Sequence, residues 1–280
     1  MRRLLLLSCL LAILAGAFAQ RAGGRRRIPT GDGPVDRGSV PTWPVDERFA
    51  TDLFTFARLR YPSTWERQSL AWYTDYPDAD LNLSFRLQQL TAIKVHPEPK
   101  LLEITDPELG NYPWLFMSGV GNVQLTDRET AVLRGYLLNG GFILVDDFWG
   151  QSEWDTFYRM IKKVLPEHEP VDLARSHPIF NCVYDLPESL SLQTPNIGAA
   201  VAGRESGVTW EPNHAGGNTR EPHFRAIFDA RGRMMVMICH NTDNGDGWEE
   251  EGSDPWFFRE FSEKKNYPLA INILVYAMTH

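Results

Sequence analysis

Residues 139–150, NGGFILVDDFWG, decide the fold class of this chain. The run FILV is continuously apolar, as is typical of a strand that is buried on both faces of a parallel sheet. It ends abruptly at Asp146 and Asp147. The glycine pair before the strand is a helix stop, and Ser152 after it is a predicted N-cap for the next helix. The stretch therefore predicts a buried strand that lies directly between two helices.

The same alternation continues on both sides of this strand. Thr126 and Glu129 form a predicted capping box at the start of the preceding helix, and the apolar run WLFMSG before them predicts another strand. On the other side, residues 223–241 predict two strands joined by a tight turn at Arg231 and Gly232. The sequence therefore predicts an α/β fold, a three-layer sandwich whose mostly parallel sheet has one antiparallel pair in its C-terminal part.

Residues 1–19, MRRLLLLSCLLAILAGAFA, show the three parts of a secretory signal: two arginines, an apolar core and small residues before the cleavage site. The apolar core is too short to span a bilayer comfortably. Residues 20–48 are rich in Arg, Gly and Pro and predict a disordered linker, which leaves residues 49–280 as a single α/β domain. We expect export to the periplasm or the cell exterior; retention at the inner membrane by an uncleaved signal is the alternative.

The charge of the predicted domain limits its partners. Residues 49–280 carry 20 Lys and Arg against 32 Asp and Glu, so the domain would repel a nucleic-acid backbone and no nucleic-acid partner is expected. Three linker arginines, at positions 25–27, would give at most a weak peripheral contact with an anionic membrane. Beyond the signal there are two cysteines, Cys182 and Cys239, and the sequence leaves their pairing open.

Polar residues collect where the predicted strands end, which is where parallel sheets bind ligands. Asp146 and Asp147 are candidate catalytic carboxylates, but neighbouring strand residues point to opposite faces and the sequence does not choose between the two. His177 and His240 are the candidate catalytic histidines that we expect at the same edge. The predicted ligand-binding residues are Ser118, Gly119, Gly121, Trp149, Asn241, Trp248 and Glu249.

A divalent metal is a further hypothesis for the loop CHNTDNGDGWEEEG at residues 239–252. His240, Asp243 and Asp246 offer nitrogen and oxygen ligands, although their spacing matches neither a HExxH motif nor a calcium loop. Asparagine and aspartate also form turns without any ligand, so capped turns are the alternative. The sequence leaves the identity of a cofactor open.

Long strings across residues 50–280 resemble a bacterial family known as domain of unknown function 4159. They include YTDYPDADLNLSFRLQQLT, DPELGNYPWLFMSGVG, LRGYLLNGGFILVDDFWG and GRMMVMICHNTDNGDGWE. Longer members of that family carry membrane segments similar to those of aerotolerance-type proteins, and this resemblance implies a role in the cell envelope. It implies no established activity.

More distantly, NGGFILVDD after a capped helix, HPIF, and a late strand that ends in a histidine resemble the trehalose-utilisation type domains of the class I glutamine-amidotransferase-like fold. This resemblance implies a flavodoxin-like three-layer sandwich. An amidotransferase has a cysteine nucleophile at a tight strand-to-helix turn, whereas this strand ends in Asp146, Asp147 and Phe148. Glutaminase activity is therefore not expected.

Two functional hypotheses remain open on the sequence. The first is an exported binding module that recognises a small molecule, a carbohydrate or an envelope protein partner at the edge of the sheet where the strands end. The second is a hydrolase-like enzyme that uses Asp146 or Asp147 with His177 and His240, with or without a metal. The second hypothesis requires these groups to lie within hydrogen-bonding reach of one another.

Overall fold

The structure, a computed structural model, describes residues 35–49, 52–62 and 71–280. The chain divides into two units, Met1–Gly33 and Pro34–His280, and the first unit lies outside the described residues. The predicted signal and the predicted linker up to residue 34 therefore lie outside them too. None of the helices in the described ranges combines the length and the apolar character that a membrane span needs.

A seven-stranded sheet forms the centre of the described domain. Its order is β2-β1-β3-β4-β7-β6-β5, in which β1 to β4 and β7 run parallel and β6 is antiparallel to both of its neighbours. The predicted sheet, mostly parallel with the antiparallel pair β6 and β7, is confirmed. The strands are β1 Ala57–Arg60, β2 Lys100–Glu103, β3 Trp114–Ser118, β4 Phe142–Asp146, β5 Val171–Asp172, β6 His223–Phe228 and β7 Met234–His240.

Helices connect and cover these strands. The α-helices are α1 Asp78–Leu90, α2 Asp127–Leu138, α3 Gly150–Val164, α4 Ile197–Gly203, α5 Asn244–Glu249, α6 Pro255–Phe257 and α7 Tyr267–Thr279. A π-helical stretch, Phe258–Asn266, joins α6 to α7. Short 3₁₀ helices are Glu47–Phe49, Ala71–Tyr73, Leu109–Asn111, Val120–Asn122 and Pro178–Phe180.

Side chains alternate between the two faces of the central strands, and helices cover both faces. Phe116 of β3 and Leu144 of β4 pack with α1, α5 and α7 on one face. Leu115 of β3 and Val145 of β4 pack with α2 and α3 on the other. The result is the predicted three-layer α/β sandwich, consistent with a flavodoxin-like arrangement. Because the parallel strands end at one edge, the loops after β1, β3, β4 and β7 meet there; we call this the carboxyl-end edge.

Local signals account for the start of α2 but not for that of α3. The Thr126 hydroxyl accepts from the Glu129 backbone N–H at 3.3 Å, and the Glu129 carboxylate accepts from the Thr126 N–H at 2.8 Å, so the predicted capping box is confirmed. Helix α3 begins at Gly150, so Ser152 lies inside it and is not its N-cap. Gly150 has φ +72°, and a Cβ there would lie 2.2 Å from the Gly216 carbonyl carbon, so a glycine is required.

The segment that precedes the first strand packs against the domain. Arg37 donates to the Pro97 carbonyl at 2.6 Å. The Trp43 indole donates to the Val95 carbonyl at 2.8 Å. The part of the predicted linker that the structure describes therefore makes specific contacts with the sandwich.

The two cysteines beyond the predicted signal are both free thiols. Cys239 is fully buried in β7, whereas Cys182 is exposed and its thiol donates to the Asn272 carbonyl at 3.3 Å. The pairing that the sequence leaves open does not form in this structure.

Candidate functional site

Acidic side chains from separate parts of the chain gather at the carboxyl-end edge. Burial and the charges of neighbouring acids raise the pKa values of Asp75, Asp147, Glu153 and Asp243, as expected for carboxylates that are close together in a poorly solvated place. The acids of this cluster are Asp75, Asp146, Asp147, Glu153, Glu211, Asp243, Asp246 and Glu249. Such a concentration of buried acids is costly to folding, so each member needs an explanation.

Asp146, the last residue of β4, has a structural role. Its side chain is fully buried and lies on the same face of the sheet as α5. The carboxylate accepts from the backbone N–H of Asn244 at 2.8 Å, from that of Gly245 at 3.0 Å and from the Asn244 side-chain amide at 2.7 Å. Burial raises the pKa of Asp146 to about 7, although these hydrogen bonds oppose the shift. Asp146 therefore holds the start of α5 against the sheet.

Asp147 is the member of the pair that faces the acidic cluster. It has φ +53°, so the strand has ended and the side chain no longer follows the alternation of β4. Its Oδ1 accepts from the Trp149 indole N–H at 3.0 Å. Burial, with the charge of Glu211, raises the pKa of Asp147 to about 6. The backbone turn therefore directs Asp147 away from the alternation of β4, whereas Asp146 is held against α5.

Glu153 and His214 are not among the site residues predicted from the sequence. Glu153 is close enough to Asp147 for the charge of Asp147 to raise the pKa of Glu153, and His214 lies beside Glu153. Glu153 is in the first turn of α3; its Oε2 accepts from the Trp149 backbone N–H at 2.7 Å, and its Oε1 lies 3.6 Å from Nε2 of His214. Burial raises the pKa of Glu153 to about 7, and the charges of Asp147 and Glu211 add to this. The predicted start of α3 at Ser152 was the available signal, because it places the next residue in the first turn.

A cleft of about 640 Å³ opens next to this pair. Helix α4 and residues 206–214 form its walls, and His214 belongs both to the wall and to the contact with Glu153. Glu211 also lines the cleft and accepts from the Asn196 side-chain amide at 2.6 Å. Other polar lining residues are Ser206 and Asn213. The cleft therefore adjoins Glu153 through His214.

A second group of acids also lies near Asp147, whose charge raises the pKa of Asp75. Asp75, Asp246 and Glu249 each offer a carboxylate oxygen, and these oxygens lie within 4.8 Å of one another. Asp246 accepts from the backbone N–H of Ile197, and burial raises its pKa to about 8. The residue Asp75 follows the 3₁₀ turn Ala71–Tyr73 and has no counterpart among the site residues predicted from the sequence.

The edge is also where the backbone takes its least common conformations. Among the described residues, the non-glycine residues with positive φ are Asp75, Asp147 and Asn241, and all three lie at this edge. Aspartate and asparagine tolerate the left-handed region better than most residues, but the conformation is still uncommon and is enriched at functional sites.

A family model described as a domain of unknown function (DUF4159) matches residues 55–278, a range that contains every acidic residue described above. The chain belongs to this family. No curated protein matches the chain at a significant level. Family membership thus agrees with the resemblance seen in the sequence, and the chemistry of this DUF4159 domain has to be argued from its side chains.

His240 does not join the acidic site of the DUF4159 domain, contrary to the sequence hypothesis. It lies on the opposite face of the sheet from Asp146, because its ring stacks on Phe148 at 4.7 Å, among the residues that pack on α3. Its Nε2 bonds to the Gly150 carbonyl at 3.0 Å and its Nδ1 lies 3.4 Å from Arg225. Burial lowers the pKa of His240 to about 3, so the ring is neutral and both nitrogens are engaged. His240 is thus not among the side chains that the fold brings to the acidic cluster.

His177 lies at the other end of the sheet. Its ring packs near Phe228 and Tyr276, and Phe228 pairs with Met234 at the amino end of β7. The His177 side chain accepts from the Ile179 backbone N–H at 3.2 Å, as an N-cap of the 3₁₀ turn there. The expectation that His177 shares the edge with the aspartates is wrong, because the segment after β5 runs away from the ends of the parallel strands.

Several of the predicted ligand-binding residues serve to pack the edge. Ser118 and Trp248 are fully or almost fully buried in the interior, and the Gly119 N–H donates to the Asp146 carbonyl at 3.1 Å. Asn241 accepts from the Gly150 N–H at 2.7 Å and so ties the ends of β4 and β7 together. The remaining predicted residues, Gly121, Trp149 and Glu249, contact or belong to the acidic cluster.

Asp243, a predicted metal ligand, caps α5. Its Oδ1 accepts from the Asp246 backbone N–H at 2.8 Å. Burial raises its pKa well above the usual range for an aspartate. Of the three predicted metal ligands, Asp246 is thus the one that lies in the group of carboxylates able to share a cation.

Proposed function

We propose that this protein is an exported cell-envelope protein whose domain binds a small hydroxylated molecule, such as a sugar, in the cleft at the carboxyl-end edge. The observation that carries the proposal is the cleft of about 640 Å³ that opens beside Glu153 and His214. Parallel α/β sheets bind ligands at this edge, because loops from several strands converge there.

The lining of the cleft supports an uncharged, hydrogen-bonding ligand. Carboxylate, amide, hydroxyl and imidazole groups from Glu211, Asn196, Ser206 and His214 line it together with small residues of α4. The carboxylates of Asp147 and Glu153 lie close to Glu211 and would repel an anion. Hydroxyl groups, by contrast, can donate to carboxylates and accept from amides.

The test is binding of a panel of mono- and disaccharides, followed by calorimetry and by ligand-observed NMR. Glu211→Gln should lower the affinity for a sugar that binds the natural chain by about tenfold or more, because a hydrogen bond to a charged group is lost. Glu205→Gln, an exposed acid of the same segment outside the cleft, is the matched control and should bind normally. A sugar that binds equally well to both variants would refute the cleft as its site.

Export is the other part of the proposal, and it rests on the signal pattern of residues 1–19. Fractionation of cells that carry the full chain, with N-terminal sequencing of the product, tests it. We expect a periplasmic or secreted product that begins at Gln20. A chain that is retained in the cytosol with an intact N-terminus would contradict this part of the proposal.

A second candidate function is a hydrolase-like enzyme, and one specific observation favours it. Asp147 and Glu153 have pKa values near 6 and 7, and Glu153 contacts His214 on the wall of the cleft. Such values suit groups that exchange protons at neutral pH. The catalytic set would then be Asp147, Glu153 and His214, in place of the Asp146, His177 and His240 named from the sequence. Turnover of nitrophenyl glycosides or esters that Glu153→Gln abolishes would support it.

A further inference from the structure

Asp75 carries an acceptor that the protein leaves without a partner. The residue is 6% exposed, and its Oδ2 is buried with no hydrogen-bond partner among the described residues. Neighbouring acids differ from it, because Asp146 accepts three hydrogen bonds and Asp243 caps α5. Buried polar atoms in proteins are nearly always satisfied, so an orphaned carboxylate oxygen calls for a ligand.

The absence of a side chain at Gly245 leaves room for the carboxyl group of Asp75. A Cβ at Gly245 would lie 2.1 Å from Oδ2 of Asp75, so a side chain at that position would displace the carboxyl group. The Asp75 side chain is therefore turned toward α5, the helix that carries Asp246 and Glu249. Asp75 itself has φ +65°, a conformation that the loop maintains in order to place it there.

Among the described residues, the base Arg58, which acts on Asp75, is already paired with another acid. Arg58 is close enough to lower the pKa of Asp75, but its guanidinium donates to both oxygens of Asp80 and to the carbonyls of Trp72 and Thr74. Its charge is thus paired with that of Asp80. Burial and the charges of Asp246 and Glu249 oppose ionisation of Asp75. A bound cation would reverse this cost, since it favours the ionised form of all three acids.

We propose that Asp75, Asp246 and Glu249 bind a hard divalent cation, with Ca²⁺ preferred. The group offers oxygen ligands alone, which suit Ca²⁺, Mg²⁺ and Mn²⁺ and not the softer metals. Oxygens within 4.8 Å of one another can reach a common ion whose oxygen distances are about 2.3–2.6 Å, as for Ca²⁺. A set of three carboxylates favours Ca²⁺, because Mg²⁺ usually keeps several waters and binds only one or two carboxylates. None of the three acids lines the cleft, so cation binding does not depend on the cleft's ligand.

Calorimetry and thermal unfolding of the full chain test the proposal, after chelation and removal of the chelator, with CaCl₂, MgCl₂ or MnCl₂ added. We expect one Ca²⁺ per chain and a saturable rise in melting temperature. Glu249→Gln should weaken Ca²⁺ binding by about tenfold or more, because affinity follows the number of charged ligands. Glu250→Gln removes the same charge from the next position and should change the affinity by about threefold at most.

The variant Asp75→Asn shows whether Asp75 is a cation ligand or a residue that only maintains the fold. Without cation it should melt at the same or a higher temperature than the natural chain, because an unpaired buried carboxylate is removed, and it should lose the response to Ca²⁺. The proposal is overturned if none of the three ions binds at millimolar concentration, if Glu250→Gln is as damaging as Glu249→Gln, or if Asp75→Asn still responds. If the chain binds none of these cations but still binds a sugar in the cleft, the cation proposal fails and the proposed function stands.

Discussion

Asp146→Ala and Asp147→Ala should differ strongly in their effect on stability, although they remove the same group from adjacent positions. Asp146 is the sole acceptor described for two backbone N–H groups and one amide N–H at the start of α5. A buried donor left without a partner costs about 1–3 kcal/mol. Three such donors would cost about 3 kcal/mol or more. Removal of the buried carboxylate offsets part of this cost.

The expected loss for Asp146→Ala is therefore about 3 kcal/mol in the free energy of unfolding, or about 6–12 °C in melting temperature for a domain of this size. Asp147→Ala loses one hydrogen bond, from the Trp149 indole, and relieves repulsion with Glu211. Its unfolding free energy should stay within about 1 kcal/mol of that of the natural chain.

Urea unfolding followed by circular dichroism at pH 7 measures both variants under the same conditions. If they lose equal stability, the assignment of Asp146 to the fold and of Asp147 to the site is refuted. A normal stability of Asp146→Ala would show that its hydrogen bonds do not hold α5.

Three further predictions concern the same edge. The pKa values of Asp147 and Glu153, near 6 and 7, lie above those of the same side chains in unfolded chains, so the folded state binds more protons. In chelator, these two groups should lower the free energy of unfolding by about 4 kcal/mol as the pH rises from 5 to 8. A rise over this range would contradict the burial of these acids. Gly245→Ala should displace Asp75 and abolish the Ca²⁺-induced rise in melting temperature, whereas Gly207→Ala, remote from the cluster, should retain it. His240→Ala should lower the free energy of unfolding, measured in urea, by about 2–4 kcal/mol, because a buried ring is lost from between Phe148 and Trp154. An unchanged urea midpoint would restore His240 as a candidate site residue.

The sequence predicts the fold well because its main signals are local. The capping box of Thr126 and Glu129 and the apolar run of β4 need only neighbouring residues to be recognised. Local signals do not reveal, however, that Asp80 inside α1 pairs with buried Arg58. That pairing joins residues 22 positions apart and has no local signature.

The site is harder to predict, because it depends on which face a residue occupies and on loops from distant parts of the chain. Strand ends correctly indicate the edge, but alternation in β7 turns His240 to the face opposite Asp146, and the segment after β5 carries His177 to the far end. Asp75 precedes α1 and His214 lies in the irregular region after α4. Only the folded sheet brings their loops to the acidic edge.

An anomalous difference map from crystals of the protein grown with Mn²⁺, used as a stand-in for Ca²⁺, tests most directly whether the acidic edge is the functional centre. We predict one strong peak bounded by the carboxylates of Asp75, Asp246 and Glu249, with Oδ2 of Asp75 among the ligands. A well-ordered edge without a peak, or a peak held only by exposed surface acids, would contradict it.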